Sequence, residues 1–90
     1  MDLNKKISFS SYVMFQTIDD EAIILDIRTQ KHFGLNQIAS IFLSHIQNNT
    51  TTKDALDLIL QEFDVTKQQL ETDISALLDT LLEHGLIETT

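Results

Sequence analysis

The chain has no cysteine and no proline, and it contains only two glycines. Without cysteine the protein has no disulfide framework and no thiolate chemistry, which fits a reducing cytoplasm. Two glycines cannot build a glycine-rich phosphate loop. No apolar run approaches the roughly 20 residues of a membrane span, and the first dozen residues have no apolar signal-peptide core. These absences favour a soluble, cytoplasmic protein.

Basic residues are also scarce, and the formal net charge is -8. Residues 51–90 carry nine acids against two lysines, whereas residues 1–50 carry five acids against four bases. Nucleic-acid binding requires basic side chains that displace counterions from phosphates, so this surface argues against a nucleic-acid partner. A domain of 90 residues is also too small to enclose a deep active site without a metal or cofactor. We therefore expect that the protein is not an enzyme.

No catalytic or metal-binding constellation is recognisable along the chain. His32, His45 and His84 are too far apart for a local metal motif, and there is no cysteine to complete one. The three serines within residues 8–11 have neither a neighbouring histidine nor a nucleophile elbow. The sequence therefore predicts no cofactor, no metal and no catalytic residue.

Three short runs in the first half of the chain have strand character. Tyr12 to Ile18 and Ala22 to Ile27 are rich in β-branched and aromatic residues, and the acidic residues 19–21 between them suit a hairpin loop. Lys31 to Leu35 alternates and forms a third strand. These runs predict an antiparallel meander, preceded by a flexible segment over residues 1–11.

Three helices are predicted after the meander. Asn36, Thr51 and Thr66 have the side chains of N-caps, and Gly85 suits the end of the last helix. Apolar residues recur at helical spacing in each segment. The three predicted stripes are Ile38, Ile41, Phe42 and Ile46; Ala55, Leu56, Ile59, Leu60 and Phe63; and Leu70, Ile74, Leu77, Leu78, Leu81 and Leu82.

A three-stranded antiparallel sheet followed by three helices makes a winged-helix-like α+β domain. Winged helices bind DNA, proteins and peptides alike, so the fold alone does not decide the function. A DNA-recognition helix presents basic and amide side chains, but the segment Thr66 to His84 has one lysine against four acids. One alternative therefore stays open from the residues, a protein–protein or transcription-related interaction module.

Four motifs follow one another along the chain: Leu25-Asp26, the run Lys31 to Asn36, Asp73-Ile74 and the ending Leu81 to Ile87. With these motifs the chain resembles the PqqD-like family, also called RiPP recognition elements, over about Tyr12 to Glu88. It implies a single domain over residues 12–88 that binds the leader segment of a ribosomal precursor peptide. Such a protein presents the leader to a modifying enzyme or leader peptidase without catalysing a reaction. The short segment over residues 25–36 looks more like that of proteins in lasso-peptide pathways than that of proteins in pyrroloquinoline quinone biosynthesis.

The resemblance also implies a binding mode, in which the leader adds as a strand to the third strand, in the groove beside the third helix. The residues that would contact the peptide are Arg28, Lys31, His32, Phe33, Gly34, Leu70, Asp73, Ile74, Leu77 and Leu81. We expect a monomer, with a dimer as the alternative, and neither nucleic acid nor membrane as partner.

The residues themselves leave several of these roles open. Gly34 either leaves space for another backbone or packs tightly on the first helix. His32 either lines the groove or is an exposed strand residue. Asp73 interrupts an apolar succession, so it either anchors a basic leader residue or is an exposed acid beside the core.

Overall fold

The computed structural model describes residues 6–19 and 21–89. Strands β2 to β4 form an antiparallel meander in the order β2-β3-β4, and β1 pairs with β5 in a separate antiparallel ribbon. The predicted α+β architecture, a three-stranded antiparallel sheet followed by three helices, is confirmed. The elements are β1 Ile7–Phe9, β2 Val13–Ile18, β3 Glu21–Asp26, β4 Lys31–Leu35, α1 Gln37–Gln47, α2 Thr52–Glu62, α3 Lys67–Glu83 and β5 Ile87–Thr89.

The ribbon of β1 and β5 was not predicted from the sequence. Residues 1–11 were expected to form a flexible segment, but Ile7–Phe9 is a strand whose partners run from Thr89 back to Ile87. Ile7 is buried in the core. A strand of three residues is too short to show alternation, and its partner lies at the other end of the chain. Residues 7–9 are therefore a strand of the folded protein, while residues 1–5 lie outside the described part.

All three helices begin at the predicted caps. Asn36 accepts a hydrogen bond from the amide of Ala39 at 2.9 Å, and Thr51 and Thr66 accept equivalent bonds from the third residue after each. Each bond satisfies an N–H group that the first helical turn leaves without a partner. Within residues 6–19 and 21–89, no helix has the length and apolarity to cross a membrane.

The core lies between the inner face of the sheet and the three helices. The predicted stripes of α2 and α3 are largely buried, although Leu82 at the end of α3 is exposed. In α1 the buried face is rotated from the prediction, because Ile38 and Ile41 are only half-buried while Leu43 is completely buried. The fully buried large side chains are Phe42, Ile24, Leu43, Ile59, Ile74, Leu81 and Leu86.

Gly85 ends α3 and joins it to the N-terminal part of the chain. Its φ of 69° lies in the left-handed region, which glycine adopts without steric cost. Its carbonyl accepts hydrogen bonds from the hydroxyls of Ser10, at 2.7 Å, and Tyr12. A Cβ added here would lie 3.2 Å from the Tyr12 hydroxyl oxygen. The position therefore requires glycine for two reasons, conformation and space.

Strand β4 is an edge of the sheet, and the hydrogen-bond pattern decides which of its main-chain groups are free. The amide of Ile27 donates to the carbonyl of Tyr12 at 2.9 Å, so the main chain of Ile27 faces β2. Main-chain groups of an antiparallel strand alternate in direction. Ile24 therefore faces β4 and forms a hydrogen-bonded pair with its partner Phe33.

The same alternation along β4 sends two residues outward. The partners of Lys31, Phe33 and Leu35 are the even-numbered β3 residues 26, 24 and 22. These face β4, because the odd-numbered positions, such as Ile27, face β2. The main chains of Lys31, Phe33 and Leu35 therefore face β3. The N–H and C=O groups of His32 and Gly34 therefore point away from the sheet. Within the part of the chain that the structure describes, these four groups make an unpaired edge.

We predict that amide exchange reports this alternation. The amide hydrogens of His32 and Gly34 should exchange at least about tenfold faster than those of Phe33 and Leu35, because only the latter are held in the ladder. Residue-resolved hydrogen exchange by NMR measures all four rates in one sample. Equal protection along β4 would contradict the derived direction of its main-chain groups.

Replacement by alanine should lower the stability of the fold at Gly85 but not at Gly34. Gly85→Ala forces an L-residue into the left-handed region against Tyr12 and should lower the free energy of unfolding by about 1–2 kcal/mol. Gly34→Ala is the matched control, because a Cβ there meets no atom within 4 Å, and it should not destabilise the fold. Denaturant titration of both variants checks this, and equal stabilities would contradict it.

Candidate functional site

An apolar recess opens between β4 and α3, beside the unpaired edge. It has a volume of about 510 Å³, and Asp73 is the one charged residue in its lining. Because β4 is an edge strand, it has a neighbouring strand on one side only, and its other side is open. The main lining residues are Gly34, Leu35, Ile38, Ala39, Asp73, Ile74, Leu77 and Thr80.

Four of the ten predicted site residues meet in this recess. They are Gly34 from β4 and Asp73, Ile74 and Leu77 from α3. Asp73 is exposed, and its carboxylate accepts a hydrogen bond from the side-chain amide of Gln69 at 2.9 Å. The structure thus places this acid on the rim of the recess, with a local partner on its own helix.

Leu70 and Leu81 are not brought into the recess. Each is 2% exposed, and both belong to the hydrophobic core. Very little of either side chain reaches the surface. Their contribution is to hold α3 in position by packing in the core. Their inclusion as contact residues followed from the apolar stripe of α3, which contains core and groove positions together.

The other end of the groove is formed by Phe33 and the last turn of α3. The ring of Phe33 is half-buried and lies 5.2 Å, between centroids, from the ring of His84. Lys31 and His32 are exposed at this end. Because strand side chains alternate, His32 carries its imidazole on the face opposite Phe33. His32 therefore offers its main chain to the edge, while its side chain lies on the outer face of the sheet.

Arg28 lies in the β3–β4 turn, where it is engaged within the protein. Its Nη2 lies 3.1 Å from Oδ2 of the buried Asp26, and its guanidinium lies 3.5 Å from the centre of the Tyr12 ring. The hydrogen bond from the Arg28 side chain is the main reason why the pKa of the Asp26 carboxyl is lowered, and the same bond raises the pKa of Arg28. These contacts give Arg28 a structural role at the turn.

A second recess lies at the far end of β4 and was not predicted. It has a volume of about 720 Å³ and shares Gly34 and Leu35 with the first. The sequence offered two signals, a glycine inside a strand and an acidic hairpin, but the hairpin acids were interpreted as turn residues only. We call it the Gly34 recess, and its lining is Ile18, Asp19, Glu21, Ala22, Ile23, Gly34 and Leu35.

The described residues contain no group of three or more histidine, cysteine, aspartate or glutamate side chains placed to hold a metal ion. The features available for function in this region are thus main-chain hydrogen-bonding groups, apolar surface and acidic side chains. This combination suits the binding of an extended peptide.

Comparison with solved structures gives two close matches. The first is TbiB1 in complex with the TbiA(beta) leader peptide, with 29% sequence identity and a TM-score of 0.81 over 89% of this chain and 93% of that one. The second is lasso peptide synthetase B1 complexed with the leader peptide, with 22% identity and a TM-score of 0.81 over 92% of this chain and 98% of that one. The sequence has no match among the curated proteins.

The family comparison covers most of the folded chain. The model for the family described as Coenzyme PQQ synthesis protein D (PqqD) matches residues 21–87, from the start of β3 to the first residue of β5. The matched range contains β4, α3 and the whole lining of the apolar recess. It also contains the lining of the Gly34 recess except Ile18 and Asp19. The resemblance drawn from the sequence is confirmed, and the chain belongs to the PqqD family.

Proposed function

We propose that this protein is a non-catalytic accessory protein that binds the leader segment of a ribosomal precursor peptide. The leader adds as a strand to the edge of β4, lies in the groove beside α3, and is thereby delivered to a modifying enzyme or leader peptidase. The observation that carries the proposal is the unpaired main-chain edge of β4 beside an apolar recess. Main-chain bonds supply affinity for an extended peptide, and the recess supplies selectivity.

Comparison with TbiB1 supports the same assignment. That protein is 29% identical to this chain over most of both lengths, and its structure contains a leader peptide. The match to lasso peptide synthetase B1 favours a lasso-peptide pathway over pyrroloquinoline quinone biosynthesis. The partner that receives the leader is then a separate enzyme of that pathway.

The alternative, a winged-helix module of transcription, is opposed by charge. A helix that enters the major groove needs basic side chains towards phosphates and base edges. Of the charged residues in α3, Lys67 is the only base, and the acids Glu71, Asp73, Asp79 and Glu83 follow it. The acidic surface of α3 would therefore repel the phosphate backbone of DNA.

We predict direct binding of the cognate leader, defined as a synthetic peptide of the N-terminal segment of the precursor encoded beside this gene. Calorimetry should give a Kd of about 0.1 to 1 µM, equivalent to roughly 8 to 10 kcal/mol, which is usual for a segment that orders on binding. His32→Pro removes an outward N–H group and should weaken binding at least about tenfold, since proline is tolerated at an edge strand but cannot donate there.

The matched control is His32→Ala, which removes the imidazole and keeps the N–H group. It should bind within about twofold of the unmodified protein. Circular dichroism must show that both variants are folded. Unchanged affinity of a folded His32→Pro variant would refute strand addition at β4, and turnover of the leader by the protein alone would refute the non-catalytic assignment.

A charge reversal at Asp73 separates peptide binding from nucleic-acid binding. Asp73→Arg should weaken leader binding by a few-fold, corresponding to about 0.2–1 kcal/mol, because Asp73 is exposed. The fold should remain stable for the same reason. A duplex-binding protein would respond in the opposite direction, since added positive charge strengthens phosphate contacts. Tighter duplex binding with unchanged leader binding, measured by fluorescence anisotropy, would favour the transcription-related module.

A further inference from the structure

Nothing in the described residues explains why position 34 is glycine. A Cβ there would meet none of their heavy atoms within 4 Å, so tight packing against α1 does not require glycine. Its φ is also not among the positive values, which occur at Asp19, Gln30, Asn49 and Gly85. Glycine in a strand interior costs backbone entropy and provides no side chain to pack. A glycine that neither conformation nor packing demands keeps space open.

The open space continues into a step at the end of the sheet. Strand β4 ends at Leu35, opposite Ala22, whereas the β2–β3 hairpin continues to the pair Ile18 and Glu21. Beyond Leu35 the sheet is therefore two strands wide. The Gly34 recess occupies this step, so a peptide paired with β4 passes beside it.

The rim of the recess is acidic. Asp19 and Glu21 belong to its lining, and among the described residues the lining contains no lysine or arginine. Neither acid takes part in an ion pair with another residue of ranges 6–19 and 21–89, where the ion pairs are those of Arg28 with Asp26 and Lys53 with Asp57. The floor, by contrast, includes the apolar residues Ile18 and Ile23.

We propose that the Gly34 recess is a second specificity pocket, which receives a lysine or arginine side chain of the leader. The proposal rests on the proposed function, because it requires the leader to pair with β4. Lysine and arginine lay their methylene stems on apolar surface and keep the charged end in a polar environment. Ile18 and Ile23 provide that surface, and Asp19 and Glu21 provide the charge at its end.

Strand alternation adds a rule for the leader sequence. Side chains of an added strand point in turn to the α3 side and to the outer face of the sheet. The apolar recess lies on the α3 side, where Gly34 contributes main-chain atoms only. A side chain at position 34 would point to the outer face, as that of His32 does. The apolar anchor and the basic residue of the leader are therefore separated by an odd number of positions. A one-residue shift of register would exchange them.

The first test fills the recess without harming the fold. Gly34→Val should weaken binding of the cognate leader at least about tenfold, while the thermal midpoint stays equal or rises, because valine favours strands and its Cβ meets no described heavy atom within 4 Å. Gly34→Ala should give a smaller loss of affinity. A Cβ does not obstruct strand pairing itself, since most strand residues carry one. Loss of affinity without loss of stability is thus specific to the recess.

The second test addresses the charge. Asp19→Asn combined with Glu21→Gln should weaken binding about threefold to tenfold at low salt and reduce its salt dependence. Asparagine is well suited to the positive φ at position 19. The matched control is Glu62→Gln with Asp64→Asn, two exposed acids outside both recesses. It changes the net charge equally and should leave the affinity within about twofold.

The leader supplies the complementary measurement. Replacing its basic residue by methionine should weaken binding to the unmodified protein and have no further effect on the Asp19→Asn, Glu21→Gln variant. A cognate leader without a basic residue at an odd spacing from its apolar anchor overturns the proposal. So does unchanged binding by Gly34→Val. If the unmodified protein does not bind the cognate leader, the proposed function fails, and the pocket fails with it.

Discussion

The end of α3 is held in place by one shared acceptor, the carbonyl of Gly85. Hydroxyl groups of Ser10 and Tyr12 both donate to it. The guanidinium of Arg28 lies over the Tyr12 ring and also binds the buried Asp26 at the end of β3. We call these contacts of Gly85, Ser10, Tyr12, Arg28 and Asp26 the Gly85 joint. The joint connects the chain before β2, the β3–β4 turn and the C-terminal end of α3. Because β4 begins directly after that turn, the same joint also connects the start of β4 to the end of α3.

An open edge beside an apolar recess is a hazard for a small protein, because unpaired main-chain groups invite association with other chains. Here the edge is short, Lys31 puts a charge at its start, and Asp73 adds a charge in the neighbouring recess. The large negative net charge opposes self-association of whole molecules. A peptide that carries basic residues is not opposed in this way. The negative net charge thus favours binding of the proposed partner over binding of other copies of the chain or of nucleic acid.

Local patterns were sufficient where the decisive interaction is local. The caps at Asn36, Thr51 and Thr66 each involve a side chain and an amide three residues away, and all three were predicted correctly. The alternation in Lys31–Leu35 identified β4, and the same run is one of the motifs that carry the family resemblance. The pairing of β1 with β5 involves the two ends of the chain, and no short-range pattern reports such a contact.

The site shows the same division between local and non-local information. Sequence reasoning selected Gly34, Asp73, Ile74 and Leu77, which the fold brings to one recess. It also selected Arg28, whose contacts are with Asp26 and Tyr12 instead. A stripe of leucines cannot distinguish a groove floor from a core, since both are apolar faces of one helix. Only the packing of α3 decided that Leu70 and Leu81 are buried.

By itself, the sequence determined the helices and their caps, the three-stranded meander, the acidic charge and the family. These follow from side-chain periodicity, capping chemistry and composition, which act over a few residues. Tertiary structure alone decided the β1–β5 ribbon, the Gly85 joint, the outward direction of the His32 and Gly34 main chains, and the two recesses. Each of these depends on residues far apart in the chain, whose distances are set by the packing of the whole core.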